Sequence, residues 1–277
     1  MRHALTIDLE EFCQIHALTP SICRDDWDKF PSEVEHNTDI ILEMLSGKGI
    51  AATFFCLGWV AQRHKDLVQR IHTQGHEIAC HGHVHQVIFQ QSPQEFKDDV
   101  STAKMILEDI IGEKVIGYRA PTYSITTKTM WAFEILSELG FEYYSSIFPI
   151  VHDTYGIPDA PRVPYKHDEY GLVEFPLSTI KFGPLNLPFA GGGYFRLLPY
   201  PMVKLGLTLL EYERTPFIFY IHPWEFNPHN PRVDTIPWFS RFRTYTGLSR
   251  TRSKFSRLID DFRFTTASQV LKDHGLL

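Results

Sequence analysis

The stretch "EIACHGHVHQ", residues 77–86, joins a short apolar run to three alternating histidines, His81, His83 and His85. The first half reads as a buried strand, bounded by Gly75 and Gly82. The second half has three readings. All three imidazoles lie on one strand face, or two of them are metal ligands beside a bystander, or all are ordinary side chains of a polar loop. Spacing alone leaves these open, and the rest of the chain has to supply partners.

Similar strand-like runs recur along the 277 residues: "ALTIDL", "IAATFFCL", "HEIACHG", "VIGYRAP", "EYYSSIF", "LVEFPLST" and "FIFYIHP". Helical patterns fall between them. Residues 34–46 and 59–73 read as helices ended by Gly47 and Gly75. In 93–111, Phe96, Val100, Ala103, Leu107 and Ile110 recur at three- and four-residue steps, with Ser92-Pro93 at the start and Gly112 at the end. Residues 127–139 form another helix, closed by Gly140. Alternating strands and helices imply parallel strands with helical crossovers. The expected fold is α/β, a distorted (β/α) barrel of about seven parallel strands with a loop-rich C-terminal extension. Residues 1–277 are expected to form one barrel domain, decorated by 149–201 and 227–277. The Gly191-Gly192-Gly193 run has no strand before it and no phosphate-loop lysine after it, so it reads as a tight turn that could border a substrate groove.

Composition narrows the function. A net charge of −6 gives no global signal for nucleic acid, and 43% hydrophobic residues are ample for a large core. None of the four cysteines forms a CxxC pair; Cys56 and Cys80 read as small core residues, and Cys13 and Cys23 are the pair that could bridge. The opening "MRHALTIDLEEF" is interrupted by Asp8 and Glu10, unlike a secretory leader, and no apolar run approaches the ~20 residues of a membrane span. On these grounds the expected location is the cytoplasm.

In a parallel α/β barrel, chemistry is placed at the C-terminal ends of the strands. There this chain carries Asp8 and Glu10 after the first strand, the histidines after the third, Arg119 after the fourth and His222 after the seventh. Asp8 and Glu10, two apart on an extended segment, point to the same side, and two such carboxylates repel unless a cation lies between them. Glu10, His81 and His85 would form a two-histidine, one-carboxylate set with positions left for water. If the chain after His81 turns, His81 and His85 share a face and His83 points away; if it stays extended, all three share one face.

With these residues in place, the sequence resembles the polysaccharide deacetylases, carbohydrate esterase family four. "TIDLEE" (6–11) resembles the family's first motif, "HGHVH" (81–85) its metal motif, "RAPTYS" (119–124) its third and "YIHPWEF" (220–226) its last; the stretch 52–85 is similar almost throughout. The nearest subgroup is the cytoplasmic deacetylases of exosortase and exopolysaccharide loci, whose C-terminal extension is similar to "GGGYFRLLPY" (191–200) and "RFRTYTGL" (241–248). The resemblance implies a metal-dependent hydrolase that removes N-acetyl groups from a carbohydrate. It implies Asp8 as general base, oriented by Arg119, and Glu10, His81 and His85 as ligands of one divalent ion. Zinc suits two imidazoles and a carboxylate, with cobalt, nickel or manganese as other candidates. His222 is the implied general acid, and the Thr122 N–H helps hold the oxyanion. Pro121, Tyr194 and Trp224 are candidates for contact with the sugar.

One position departs from the family pattern. The run "YYSS" (143–146) puts Tyr144 where an aspartate usually supports the catalytic histidine. Glu174, Asp153 and Glu225 are the carboxylates that could substitute. The substrate expected from a cytoplasmic location is an N-acetylhexosamine on an oligosaccharide, lipid or nucleotide carrier. Residues 241–257 hold six basic and no acidic residues, which suggests peripheral contact with the inner membrane. The rival readings are an amidohydrolase of a small non-sugar amide or ureide, and a carbohydrate-binding relative with impaired catalysis.

Overall fold

The computed structural model describes residues 1–152 and 154–277. Its strands are β1 (His3–Leu9), β2 (Thr53–Cys56), β3 (Glu77–Cys80), β4 (Gly117–Tyr118), β5 (Tyr143–Tyr144), β6 (Tyr165–His167), β7 (Leu172–Glu174), β8 (Thr179–Phe182), β9 (Leu185–Pro188), β10 (Ile218–Ile221) and β11 (Phe264–Thr265). Hydrogen bonding orders one sheet as β10-β1-β2-β3-β4-β5-β7-β6, with β11 also on β1; β8 and β9 form a separate hairpin. The seven strands from β10 to β7 run parallel and only β6 is antiparallel. The result is a curled, incomplete barrel wrapped by helices, the expected class.

The helices are α1 (Val34–Ser46), α2 (Gly58–Arg63), α3 (Lys65–Thr73), α4 (Pro93–Ile111), α5 (Ala132–Glu138), α6 (Gly192–Leu197), α7 (Tyr200–Tyr212), α8 (Trp238–Tyr245), α9 (Leu248–Asp261) and α10 (Ala267–Asp273). α4 has the bounds the sequence predicts. Ser92 Oγ accepts from the Glu95 N–H while Glu95 reaches back to the Ser92 N–H, and Gly112 ends the helix at φ 72°. Phe96, Val100, Ala103 and Leu107 make its buried stripe. The helix expected over 59–73 is two helices, because His64 leaves helical geometry (φ −124°, ψ 54°), its ring on the Ser32 hydroxyl. Residues 127–131 are turns that lead into α5. The C-terminal region holds more regular structure than its prolines suggest. β11 extends the sheet beside β1, and the Ala267 N–H donates to Thr53 Oγ1 at 2.8 Å, which ties α10 to the N-terminal ends of the strands. No described helix is long and apolar enough to cross a membrane.

Strand parity positions the site. Leu5, Ile7 and Leu9 of β1 pack into the core shared with the helices, whereas Ala4 belongs to the cluster inside the barrel. With a period of two, Thr6 and Asp8 face inward with Ala4, and Glu10 follows them. The same count turns His81 (after inward Ala79), Arg119 (after outward Tyr118), Ser145 (after inward Tyr143) and His222 (after inward Tyr220) toward one interior. Tyr144 and Leu172 point the other way, into the helix-facing core, and Glu174 shares the outward parity of Leu172.

Candidate active site

A cleft of about 440 Å³ opens at the C-terminal ends of the strands and is lined by Asp8, Glu10, His81, His85, Thr122 and His222, among others. The question raised by the three histidines is answered by a turn. β3 ends at Cys80, then Gly82 (φ 75°) and His85 (φ 50°) adopt left-handed backbone, so the segment is neither strand nor helix. His81 and His85 come together with Glu10, their ligand atoms within 4.8 Å of one another, and His85 Nε2 is 2.9 Å from Glu10 Oε2. His83 is carried away and packs over Gly58, where a Cβ would lie 2.5 Å from its Nδ1.

These three residues fit a divalent ion by their surroundings as well as their chemistry. His81 Nδ1 donates to the Arg119 carbonyl at 2.8 Å, which leaves Nε2 for a ligand, the usual orientation of a metal-bound histidine. Burial keeps that imidazole neutral, its pKa pushed down to about 3. Burial opposes ionisation of Glu10, but His85, His222 and His81 together outweigh this and lower its pKa, so an anionic donor faces two imidazoles. Trp224 Nε1 donates to Glu10 Oε1 at 3.0 Å and fixes the carboxylate.

Asp8 is held separately. Arg119, fully buried, donates from Nη1 to Asp8 Oδ1 at 2.6 Å and to Thr6 Oγ1 at 2.8 Å, while Nε and Nη2 donate to the Ser145 carbonyl and hydroxyl. Asp8 Oδ2 then faces His222, whose Nε2 lies 3.7 Å from it and 3.8 Å from Glu10 Oε1.

The carboxylate beside His222 is Glu225. Its Oε2 accepts from the His222 backbone N–H at 3.1 Å and lies 3.4 Å from Nδ1 of the same ring, while Oε1 accepts from Arg196 Nε at 2.8 Å. Pro223 starts a single helical turn that brings residues 222 and 225 onto one side. Burial opposes ionisation of Glu225, yet Arg196 and His222 hold its pKa down to about 2. Tyr144 cannot serve His222, because its ring lies against Phe133 and His167 on the other face of the sheet. Glu174 accepts from the Ser146 and Ile147 N–H groups, and burial raises its pKa well above the carboxylate range. Asp153 lies outside the described residues.

Two of the residues expected to contact the sugar are buried. Trp224 lines the cleft but is 5% exposed, bonded to Glu10 and stacked with His222 at 5.3 Å, so it braces the site and leaves little of its ring open. Pro121 is buried beneath the cleft wall and starts the turn that puts Thr122 (φ 55°) and Tyr123 (φ 51°) into left-handed backbone at the cleft. Tyr194 stays half-exposed on the wall. The sequence reading missed His16, Tyr123, Tyr155 and Arg196 in the lining. It also missed Asp99 of α4, which accepts from the His83 and Val84 N–H groups at 2.7 and 3.1 Å and fixes the histidine loop. Most lie on separate segments with no local pattern; Tyr123 had a signal inside "RAPTYS", and Arg196 as a basic residue in an otherwise apolar run.

Residues 22–144 match the polysaccharide deacetylase family model. This part of the chain is a polysaccharide deacetylase domain of that family. Residues 145–272 match a domain of unknown function, DUF3473. Among curated proteins, a peptidoglycan deacetylase-like protein of Gibberella zeae is 31% identical over 109 residues, 39% of this chain and 31% of that protein. A chitooligosaccharide deacetylase of Bradyrhizobium is 26% identical over 108 residues, 39% of this chain and 49% of that one. The chain thus spans less than half the length of these relatives. In fold it is similar to a protein of Mycobacterium smegmatis solved as a polysaccharide deacetylase (TM-score 0.62, 19% identity, 99% of this chain and 91% of that one). It is similar also to a family-four pseudoenzyme from Bacillus anthracis (TM-score 0.51, 12% identity, 98% and 65%).

Proposed function

We propose that this chain is a metal-dependent N-deacetylase acting on an N-acetylhexosamine unit of an oligosaccharide or of a lipid- or nucleotide-linked precursor. The observation that carries the reading is the meeting of three separately supported groups on one cleft: Glu10 with His81 and His85, Asp8 on Arg119, and His222 on Glu225.

Glu10, His81 and His85 would hold the ion, and zinc suits that donor set best. When bound, a divalent ion supplies Lewis acidity and a lowered pKa for water. Asp8 Oδ2 accepts the proton of the attacking water, while Arg119 keeps Oδ1 occupied and the carboxylate oriented. The water oxygen bonds to the acetyl carbon. The Thr122 N–H donates to the developing oxyanion, a role supported by its position on a left-handed turn that lines the cleft. His222 gives its proton to the amide nitrogen as the C–N bond breaks, releasing acetate and a free amino sugar. Tyr194 offers a ring against which a pyranose can stack.

The test is acetate release from N-acetylglucosamine oligomers by metal-loaded protein, beside allantoin as a non-sugar ureide. Release from the sugar supports the reading; cleavage of allantoin alone, or sugar binding without cleavage, overturns it. His81→Ala and His85→Ala are expected to lose the ion, while His83→Ala keeps it.

A further inference from the structure

The helix that forms one rim of the cleft carries an apolar face that is left largely exposed among the described residues. Trp238, Phe239 and Phe242 of α8 are 70%, 53% and 47% exposed. At about 100° per residue they fall on one side of the helix, with Arg241 and Arg243 on its two flanks. Thr244 is buried on the opposite side, where it lines the cleft with Ser240. Arg243 spreads over the Phe239 ring, 5.0 Å from its centroid, and Arg241 meets the exposed Asp234 at 3.0 Å. Exposed Arg250 and Arg252 follow on α9.

Two features of this face select its occupant. Large aromatic rings between arginines are the pattern of a helix lying in a bilayer interface, rings in the acyl boundary and guanidinium groups at the phosphates. The charge is also local. Residues 241–257 carry six basic and no acidic side chains in a chain of net charge −6, so this segment is a local attraction for a negative surface. The basic segment does not act as one block. Lys254 Nζ is turned inward onto the carbonyls of Phe195, Arg196 and Leu198 at 3.0, 2.8 and 2.7 Å, and Arg257 stacks over Tyr200. α8 is the part that combines exposed rings with flanking charge.

We propose that the exposed face of α8, the helix on the cleft's rim, docks on an anionic phospholipid surface. Delivery of a lipid-linked sugar to the cleft rests on the deacetylase reading; the docking itself does not.

Flotation of the full chain with phosphatidylcholine vesicles, with and without phosphatidylglycerol, tests it. The protein floats with phosphatidylglycerol vesicles, is released by salt, and does not float with phosphatidylcholine alone. Arg241→Gln lowers partitioning about fivefold, and Trp238→Ser with Phe242→Ser abolishes it. Circular dichroism of each variant checks its fold, and bromolipid quenching of wild-type emission, lost in Trp238→Phe, places the ring in the bilayer. No flotation, or flotation indifferent to these substitutions, overturns the proposal. So does light scattering in which Trp238→Ser turns a dimer into a monomer, since the face then belongs to a second copy. Acetate release from a soluble oligomer, measured without vesicles, reports on the deacetylase reading separately.

Discussion

At His222 two opposing effects meet. Burial disfavours the imidazolium, but Glu225 at 3.4 Å, joined by Glu10 and Asp8, outweighs it and pushes the pKa up to about 9. Because that value lies above the unfolded one near 6.5, protonation of His222 stabilises the metal-free fold. The contribution is complete below about pH 6.5 and is lost as pH rises through about 9. Removing the Glu225 charge removes the largest favourable influence, so NMR titration of metal-free Glu225→Gln is expected to show His222 with a pKa clearly lower than in the wild type. An unchanged value would mean that Glu225 does not support this ring. The residue-scale chemistry was legible where a side chain and its strand end sit together in sequence, as with Asp8, Glu10 and Arg119. The choice among three carboxylates for His222 was not, because it turns on sheet parity and on one helical turn after Pro223. Tyr144 and Glu174 fall on the wrong side of the sheet, and no motif states which side that is.

Among the elements, α4 shows how a helix can be legible while its task is not. Its cap, stripe and stop are written in residues 92–112. That Asp99 leaves the stripe to grip the loop between the two candidate ligands depends on how α4 lies against β3. The Asp99 carboxylate satisfies two loop N–H groups, and each orphaned buried donor would cost about 1–3 kcal/mol. Asp99→Ala is therefore expected to loosen the loop and weaken metal affinity by the 10- to 100-fold typical of supporting groups, with Asp99→Asn recovering part of it. Titration with a competing chelator measures this; wild-type affinity in Asp99→Ala would show that the loop holds itself. The break at His64 was hidden for a related reason: no glycine or proline marks it, and the Ser32 contact that accompanies it comes from another segment.

For the whole molecule, the alternation of strands and helices announces the barrel, whereas much of the region after residue 150 reads as loops because its strands are only two to four residues long and prolines interrupt it. That region supplies the support for His222. Arg196, from α6, donates to Glu225 and also to the carbonyls of Arg243, Thr244 and Thr246, so it joins the cleft's C-terminal rim to His222. Arg196→Ala strands a buried carboxylate, a change that costs about 3–5 kcal/mol. Denaturant unfolding is expected to show a loss of that size, and a loss below about 1 kcal/mol would mean that water replaces the guanidinium at no consequence.

The central claim is that two similar carboxylates, two residues apart, have different work. Metal content and deacetylation rate, measured together on Asp8→Asn, Glu10→Gln and His222→Ala, test it most directly. Asp8→Asn keeps the shape of the side chain but not its proton acceptor, so the ion stays and turnover falls by roughly 10²–10⁴. His222→Ala behaves likewise. Glu10→Gln removes an anionic ligand, and metal affinity falls together with activity. Full activity in Asp8→Asn, or loss of the ion there with its retention in Glu10→Gln, would contradict the account.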